Sequence, residues 1–282
     1  MLSSALRWGV GLAAGGFTVN SLLGEAAHRA RVPLQRVAQH STQAAAASTS
    51  SDSNGLPTPP LTTLHIYDHC PFCVRVQLVA GWKNLKHNVK VYGYGDKVGP
   101  TKLTGKKILP VLEYPDANGK PIYKRESLDL VEYLDGYNGD VNRSLAPAVR
   151  DDLKAWLNKA KPTLLQLTRG AVLKLPIKDW ETEEDIAYAV NKYTKLGFDY
   201  EKAEAEKEQH LAAMAKHLEE LDGLLHSEHS ANSWGRSLDD VLLLPDLRTL
   251  TCVKDVKWPA KVSPLFGSCR VSLGNPHEFV LR

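Results

Sequence analysis

The sequence has no long hydrophobic run. No apolar stretch approaches the roughly 18 to 20 residues that cross a bilayer, so no membrane span is expected. Cysteine is scarce as well: four in 282 residues are too few for a disulfide scaffold. An excess of one charge is missing from most of the chain. Residues 1–51 hold Arg7, Arg29, Arg31 and Arg36, no lysine, and one acid, Glu25. Setting these aside from 35 basic and 32 acidic residues leaves 31 of each. The balanced remainder offers no basic stripe, so no nucleic-acid partner is expected. There is also no internal repeat.

The first fifty residues differ from the rest. An Arg- and Ser-bearing, acid-poor start has the composition of an organelle transit peptide, with mitochondrion preferred and plastid next. A secretory signal is the competing reading, with "WGVGLAAGGFTV" as its apolar centre, but the arginines continue well downstream of it. "QAAAASTSSDSNGLPTPP" then reads as a linker without core-forming residues. Residues 1–60 are therefore expected to be transit peptide and disordered linker, with folding beginning near Leu61.

From there the pattern is β-α-β-α-β-β-α. "LTTLHIY" (61–67) and "NVKVYGY" (88–94) read as strands. Between them Val74, Leu78 and Trp82 recur at helical spacing after Pro71, which suits a first helical turn. Residues 100–107 suit a short helix. "LPVLEYP" (109–115) and "KPIYK" (120–124) suit a hairpin closed by "DANG", and "ESLDLVEYLDGY" (126–137) an amphipathic helix. Beyond a break at 136–144, residues 147–227 and 237–256 carry almost no strand signal. Leu211, Met214, Leu218, Leu221 and Leu225 form one apolar stripe, most simply core packing. "SLDD" (237–240) reads as a capped helix start. The expected fold class is a small α/β layer domain (61–138) followed by an all-α domain (145–262).

The chemistry centres on "DHCPFC" (68–73). A strand, this loop and then a helix place Cys70 at a helix N-terminus, where free N–H groups and the positive dipole end favour a thiolate. Its pKa is expected to fall from about 8.5 toward neutrality or below. Cys73, one turn further in, is expected to be more buried and within reach of a mixed disulfide on Cys70. Pro71 stiffens the loop. A structural zinc site would need four ligands. Cys252 and Cys269 are isolated and far along the chain, and His65 with His69 would make a cramped set, so no metal is expected. Two inert core cysteines would not need the helix-opening proline. Thiol chemistry is the preferred reading.

Two further motifs support it. Pro110 begins a strand, where its missing donor is tolerated. If the Leu109–Pro110 bond is cis, the Leu109 main chain turns outward and can pair with a cysteinyl ligand as an extra strand. A trans proline at the same place is the plain alternative. "RES" (125–127) opens a helix whose N–H groups suit a carboxylate, while Glu126 suits an ammonium group. Together these needs describe the γ-glutamyl end of glutathione. A capping Ser127 and a first-turn Glu126 would explain the same residues without a ligand.

"LHIYDHCPFC", "GKKILPVLEY", "RESLDLVEYLD" and "LPDLRTLTCVKDVKWPAKV" closely resemble the glutaredoxin-2 family over roughly residues 62–262. That resemblance implies a glutathione-transferase-like fold: a thioredoxin-like N-terminal domain plus an all-α C-terminal domain. It implies Cys70 as nucleophile, Cys73 as second active-site cysteine, and Leu109 before a cis Pro110 holding glutathione by its main chain. It further implies Glu126 and Ser127 holding the γ-glutamyl group. Phe72 stands where the family commonly has tyrosine, so a ring still flanks the site without its hydroxyl. The expected partners are glutathione as co-substrate and disulfide-bearing or glutathionylated proteins, with no other cofactor and a monomeric chain. Residues 263–282 diverge from the family as a Pro-, Gly- and Ser-bearing tail containing Cys269, either natural or an error of gene splicing. Two alternatives stand beside it: a prostaglandin-E-synthase-2-like isomerase, which would keep a hydrophobic anchor, and a non-enzymatic interaction module, a class that often loses the second cysteine.

Overall fold

The structure, a computed structural model, describes residues 62–137, 143–146 and 150–263. The leader and linker, most of the 136–144 break and all but Ser263 of the divergent tail lie outside the described residues.

Strand β1 (Thr63–Ile66) leads through the 67–70 loop into helix α1 (Pro71–Trp82), with Pro71 at its first position. Strand β2 (Asn88–Val91), helix α2 (Val98–Thr104), strands β3 (Val111–Pro115) and β4 (Pro121–Arg125), and helix α3 (Ser127–Asp135) follow. The sheet order is β2-β1-β3-β4. β1 and β2 are parallel, which requires a crossover, and α1 supplies it. β3 pairs antiparallel with both β1 and β4. Asp116 closes the β3–β4 turn by accepting the N–H groups of Asn118 and Lys120, each at 2.8 Å. Leu64 and Leu112 of the sheet meet Ala80 of α1 and Leu134 of α3, so one sheet face is covered by these helices.

Every element from Asp151 onward is helical: α4 (Asp151–Ala171), two 3₁₀ turns (Val172–Lys174 and Lys178–Trp180), α5 (Glu183–Lys195), α6 (Tyr200–Ala205), α7 (Lys207–Leu224) and α8 (Leu238–Leu250). α4 packs against α6, α7 and α8, and α8 also packs against α1. Because α8 touches both halves, it is buried nearly all round: Val241, Leu243, Leu244, Leu247 and Leu250 are all in the core. Its start is a capping box, with the Ser237 N–H and hydroxyl donating to the Asp240 carboxylate at 2.8 and 2.9 Å. On α7, Met214, Leu218 and Leu221 are buried, as is Leu225 just after it, while Leu211 packs at the edge of the core. The stripe is core packing.

A second capping box was not singled out in the sequence. Thr182 and Asp185 satisfy each other's main-chain N–H groups at the start of α5. Asp185 also accepts the Gly95 N–H at 2.7 Å, which fastens α5 onto the segment after β2. The approach is close enough that a Cβ on Gly93 would lie 2.6 Å from an Asp185 carboxylate oxygen. Gly93→Ala is expected to lower stability by about 1–3 kcal/mol through this overpacking. Gly170→Ala on α4, where the nearest non-local atom to the added Cβ is 3.8 Å away, is expected to raise it by roughly 0.5–1 kcal/mol through helix propensity. Urea midpoints of the two variants check both signs.

Candidate active site

The sheet register brings the three motifs to one edge. His65 of β1 lies opposite Val111 of β3, and Val111 lies opposite Arg125 of β4. One step beyond those partners are the chain leaving β1 toward Tyr67–Cys70, the Leu109–Pro110 pair entering β3, and Glu126–Ser127 leaving β4. Motifs far apart in sequence thus share a boundary because antiparallel pairing aligns strand ends.

At that edge Cys70 is the N-cap of α1, with extended backbone (φ −75°, ψ 119°), and it is half-buried. Cys73 is fully buried, and both are thiols in this structure. The Cys70 thiol is pulled down to about 6. The largest cause is a hydrogen bond from the Cys73 thiol; the charge of His69 and the N–H groups of Cys73 and Phe72 add to it, while burial opposes. Cys73 is pushed the other way, first by burial and then by donating to Cys70, although its sulfur accepts the Tyr67 N–H at 3.4 Å. The pair therefore shares its proton unequally: an anionic sulfur near the surface and a protonated one beneath it. Cys252, at the end of α8, is pushed up to about 12 by burial, which leaves it unreactive.

The peptide bond between Leu109 and Pro110 is cis. Neither the N–H nor the C=O of Leu109 has a hydrogen-bond partner among the described residues. Glu126 and Ser127 differ in detail from a simple helix cap. Glu126 occupies the cap position with φ 72° and ψ 110°, makes no side-chain cap bond, and extends a mostly exposed carboxylate near Arg125. A non-glycine residue at such a φ costs on the order of 1–3 kcal/mol, and such outliers cluster at functional sites. Ser127 is the first helical residue. The Phe72 ring lies under the Arg75 guanidinium, 4.8 Å from its centroid.

Several residues that the sequence did not single out complete the surroundings. The ring of His69 donates through Nδ1 to the fully buried Asp179 carboxylate and stands 4.6 Å from Trp180 and 4.8 Å from Tyr94. His65 is committed elsewhere, to Tyr92 at 2.8 Å and Glu113 at 2.9 Å, so the two histidines do not converge. Lys107 donates to the Tyr94 carbonyl at 2.5 Å, and its ammonium lies 4.0 Å from the Tyr188 ring centroid and 4.8 Å from that of Tyr94. Burial, then repulsion from Lys192, pushes Lys107 down to about 8. Lys192 donates to the Tyr94 hydroxyl at 2.7 Å; burial pushes its ammonium down, and the charge of Cys70 opposes that. For Tyr94 the sequence offers only the end of "NVKVYGY" (88–94), which reads as a strand, whereas β2 ends at Val91.

Comparison with known proteins places both halves. Residues 152–269 match the family model described as glutaredoxin 2, C-terminal domain, and residues 64–140 match that of the glutathione S-transferase N-terminal domain. Glutaredoxin 2 of Escherichia coli strain K12 is 29% identical over 202 residues, covering 71% of this chain and 90% of the relative. The crystal structure of glutaredoxin 2 from Salmonella typhimurium in complex with glutathione superposes with a TM-score of 0.70 at 28% identity, covering 77% of this chain and 96% of that one. A glutathione transferase from Phanerochaete chrysosporium shares the fold at a TM-score of 0.57 and 15% identity, covering 79% of this chain and all of that one. The fold is glutathione-transferase-like, and over most of its described length the chain is similar to glutaredoxin 2.

Proposed function

We propose that the chain is a glutathione-dependent thiol–disulfide oxidoreductase acting on protein disulfides or on glutathione mixed disulfides. The observation that carries this reading is the unequal cysteine pair at the end of α1, on the same sheet edge as Leu109–Pro110 and Glu126–Ser127. Glutathione bound to the Salmonella relative supports the choice of co-substrate. The Leu109 main chain pairs with the cysteinyl part of the tripeptide, and the N–H groups at the start of α3 with Glu126 receive its γ-glutamyl end. Phe72 flanks the bound thiol. Lys107 and Lys192 supply positive charge for the remaining carboxylate.

In the first step the Cys70 thiolate attacks one sulfur of the substrate disulfide. The new S–S bond forms as the old one breaks, and the displaced thiolate takes up a proton. When the product is a mixed disulfide with glutathione, a second glutathione thiolate attacks the glutathione sulfur, releasing glutathione disulfide and returning Cys70 as thiolate. When the partner is a protein, Cys73 gives up its proton and attacks the Cys70 sulfur, the bond between Cys70 and the protein sulfur breaks, and the departing protein thiolate takes up a proton. That leaves a Cys70–Cys73 disulfide, which two glutathione molecules reduce to the dithiol, leaving as glutathione disulfide. Burial holds Cys73 in its thiol form, which slows its attack on the Cys70 sulfur. No metal or organic cofactor enters these steps. Neither the isomerase nor the interaction-module alternative is favoured by the family matches. Among the described residues no helix is long and apolar enough to cross a membrane. The chain is proposed to work as a monomer, delivered to the mitochondrion by its Arg- and Ser-bearing leader.

Three outcomes check this reading. Only the thiolate reacts, so the rate of Cys70 alkylation is expected to be flat above about pH 6 and to fall tenfold per unit below it. Cys73→Ala removes the donor to the thiolate; at ~1.5–3 kcal/mol for a charged hydrogen bond, the inflection rises by roughly one to two units. In a glutathione-coupled assay, Cys70→Ser is expected to abolish activity on both substrate classes. Cys73→Ser keeps activity on glutathione mixed disulfides and loses most of it on protein disulfides; full activity in Cys70→Ser sinks the proposal. Residues 1–60 fused to a fluorescent reporter are expected to direct it to mitochondria, and reporter left in the cytosol or sent to plastids counts against that destination.

A further inference from the structure

The two residues that precede Cys70 are held by the helical half of the molecule as well as by their own strand. Asp179, in the 3₁₀ turn Lys178–Trp180, is fully buried and accepts the N–H of Asp68 at 2.8 Å, the N–H of His69 at 2.8 Å, and the ring Nδ1 of His69. Arg248 of α8 donates Nη1 to the Asp68 carbonyl at 2.8 Å, with Nη2 3.5 Å from the Asp68 carboxylate. The Asp179 carbonyl accepts the Tyr94 N–H at 2.9 Å, which ties the turn back to the segment after β2. Asp68, His69, Asp179 and Arg248 are all buried.

A carboxylate with no solvent contact persists only where donors satisfy it. All the side-chain hydrogen bonds that Asp179 accepts come from the two residues N-terminal to the reactive cysteine. Docking a loop needs only the main-chain pair; the additional bond to the ring also fixes where the imidazole stands, between Trp180, Tyr94 and Tyr67. We propose that Asp179 is a positioning residue for Cys70, acting through His69, so that the helical half builds part of the redox site. Asp179 sets the path of residues 68–69, which delivers the Cys70 sulfur to the open end of α1, and it holds the His69 ring against Trp180, Tyr94 and Tyr67. The inference rests on the reading of Cys70 as the nucleophile, and it assigns to the second domain a task in that chemistry.

The groups acting electrostatically on Cys70 are Cys73 and His69, and the charge of Cys70 is in turn felt by Arg75, Tyr94, Lys192 and Tyr193. Facing His69 are Asp179, Tyr67, Tyr94 and Trp180, with the Asp68–Arg248 pair holding the loop beside it. Among the groups that lower the Cys70 thiol, His69 is the one Asp179 holds by a side-chain hydrogen bond. Releasing the ring and the loop together therefore moves the Cys70 titration upward.

The test is the pH profile of Cys70 alkylation by iodoacetamide in the full chain, followed by mass spectrometry of the Cys70 peptide. Asp179→Asn keeps the size of the side chain but cannot accept from all three donors. Its inflection is expected to rise by about one unit, a roughly tenfold lower rate on the acid limb, with a fall in kcat/KM in the glutathione-coupled assay. His69→Phe keeps the ring packing and the main-chain bonds while removing Nδ1, and its inflection is expected to rise as well. An Asp179→Asn profile that superposes on the unmodified chain, or that moves down, overturns the inference, whatever happens to activity. If Asp179→Asn does not fold by circular dichroism, the His69→Phe profile decides by the same criterion. Alkylation needs neither glutathione nor a disulfide substrate. An unmodified chain lacking an acid-shifted Cys70 thus overturns the oxidoreductase reading itself, whereas an acid-shifted Cys70 that ignores Asp179 overturns only the positioning role.

Discussion

A sulfur anion at the open end of α1 is the requirement around which the rest of the site is arranged. Thiolate is favoured over thiol at Cys70 because three donors converge on it: the thiol of Cys73 and the N–H groups of Phe72 and Cys73. Pro71 helps by exclusion, since at the first helical position it has no N–H to lose. The stabilised thiolate and the protonated Cys73 are one feature described twice, because the hydrogen bond that lowers one thiol raises the other.

That local device works only if the loop before it is delivered accurately, and the two halves of the molecule share the task. α8 packs on α1 while its Arg248 reaches the Asp68 carbonyl. Asp185 fastens α5 to Gly95, and Asp179 fastens the 3₁₀ turn to residues 68 and 69. These buried carboxylates accept mostly main-chain N–H groups, so each holds a backbone path in a way that apolar packing alone does not. The helical half is in this sense a wall of the redox site as well as a partner in the core.

Much of this was legible in the sequence. The β1–loop–α1 start, the proline at the first helical position, the hairpin around "DANG", the α7 stripe and the Ser237–Asp240 capping box are all local patterns with local causes. The observed strands are shorter than the apolar runs that announced them: β1 spans Thr63–Ile66 and β2 Asn88–Val91. Edge and loop residues keep β-type composition where no neighbouring strand remains to pair with. Glu126 was singled out for its carboxylate, but its left-handed backbone was not foreseen, since nothing in "RES" distinguishes it from an ordinary helix start. Asp179, Asp185, Lys107 and Lys192 carry no local signal, and Tyr94 is visible only as the end of an expected strand.

The elements and the reactive pair are written in local sequence, because helix starts, turns and a three-residue cysteine spacing depend on neighbours within a few positions. It also brought the glutathione-facing motifs into view one at a time. Their meeting at one edge is set by packing, because antiparallel register is a property of three strands at once. Only the tertiary structure placed Asp179 against His69, 110 residues away in the chain. A buried carboxylate is chosen by the donors around it, and those donors are assembled by packing.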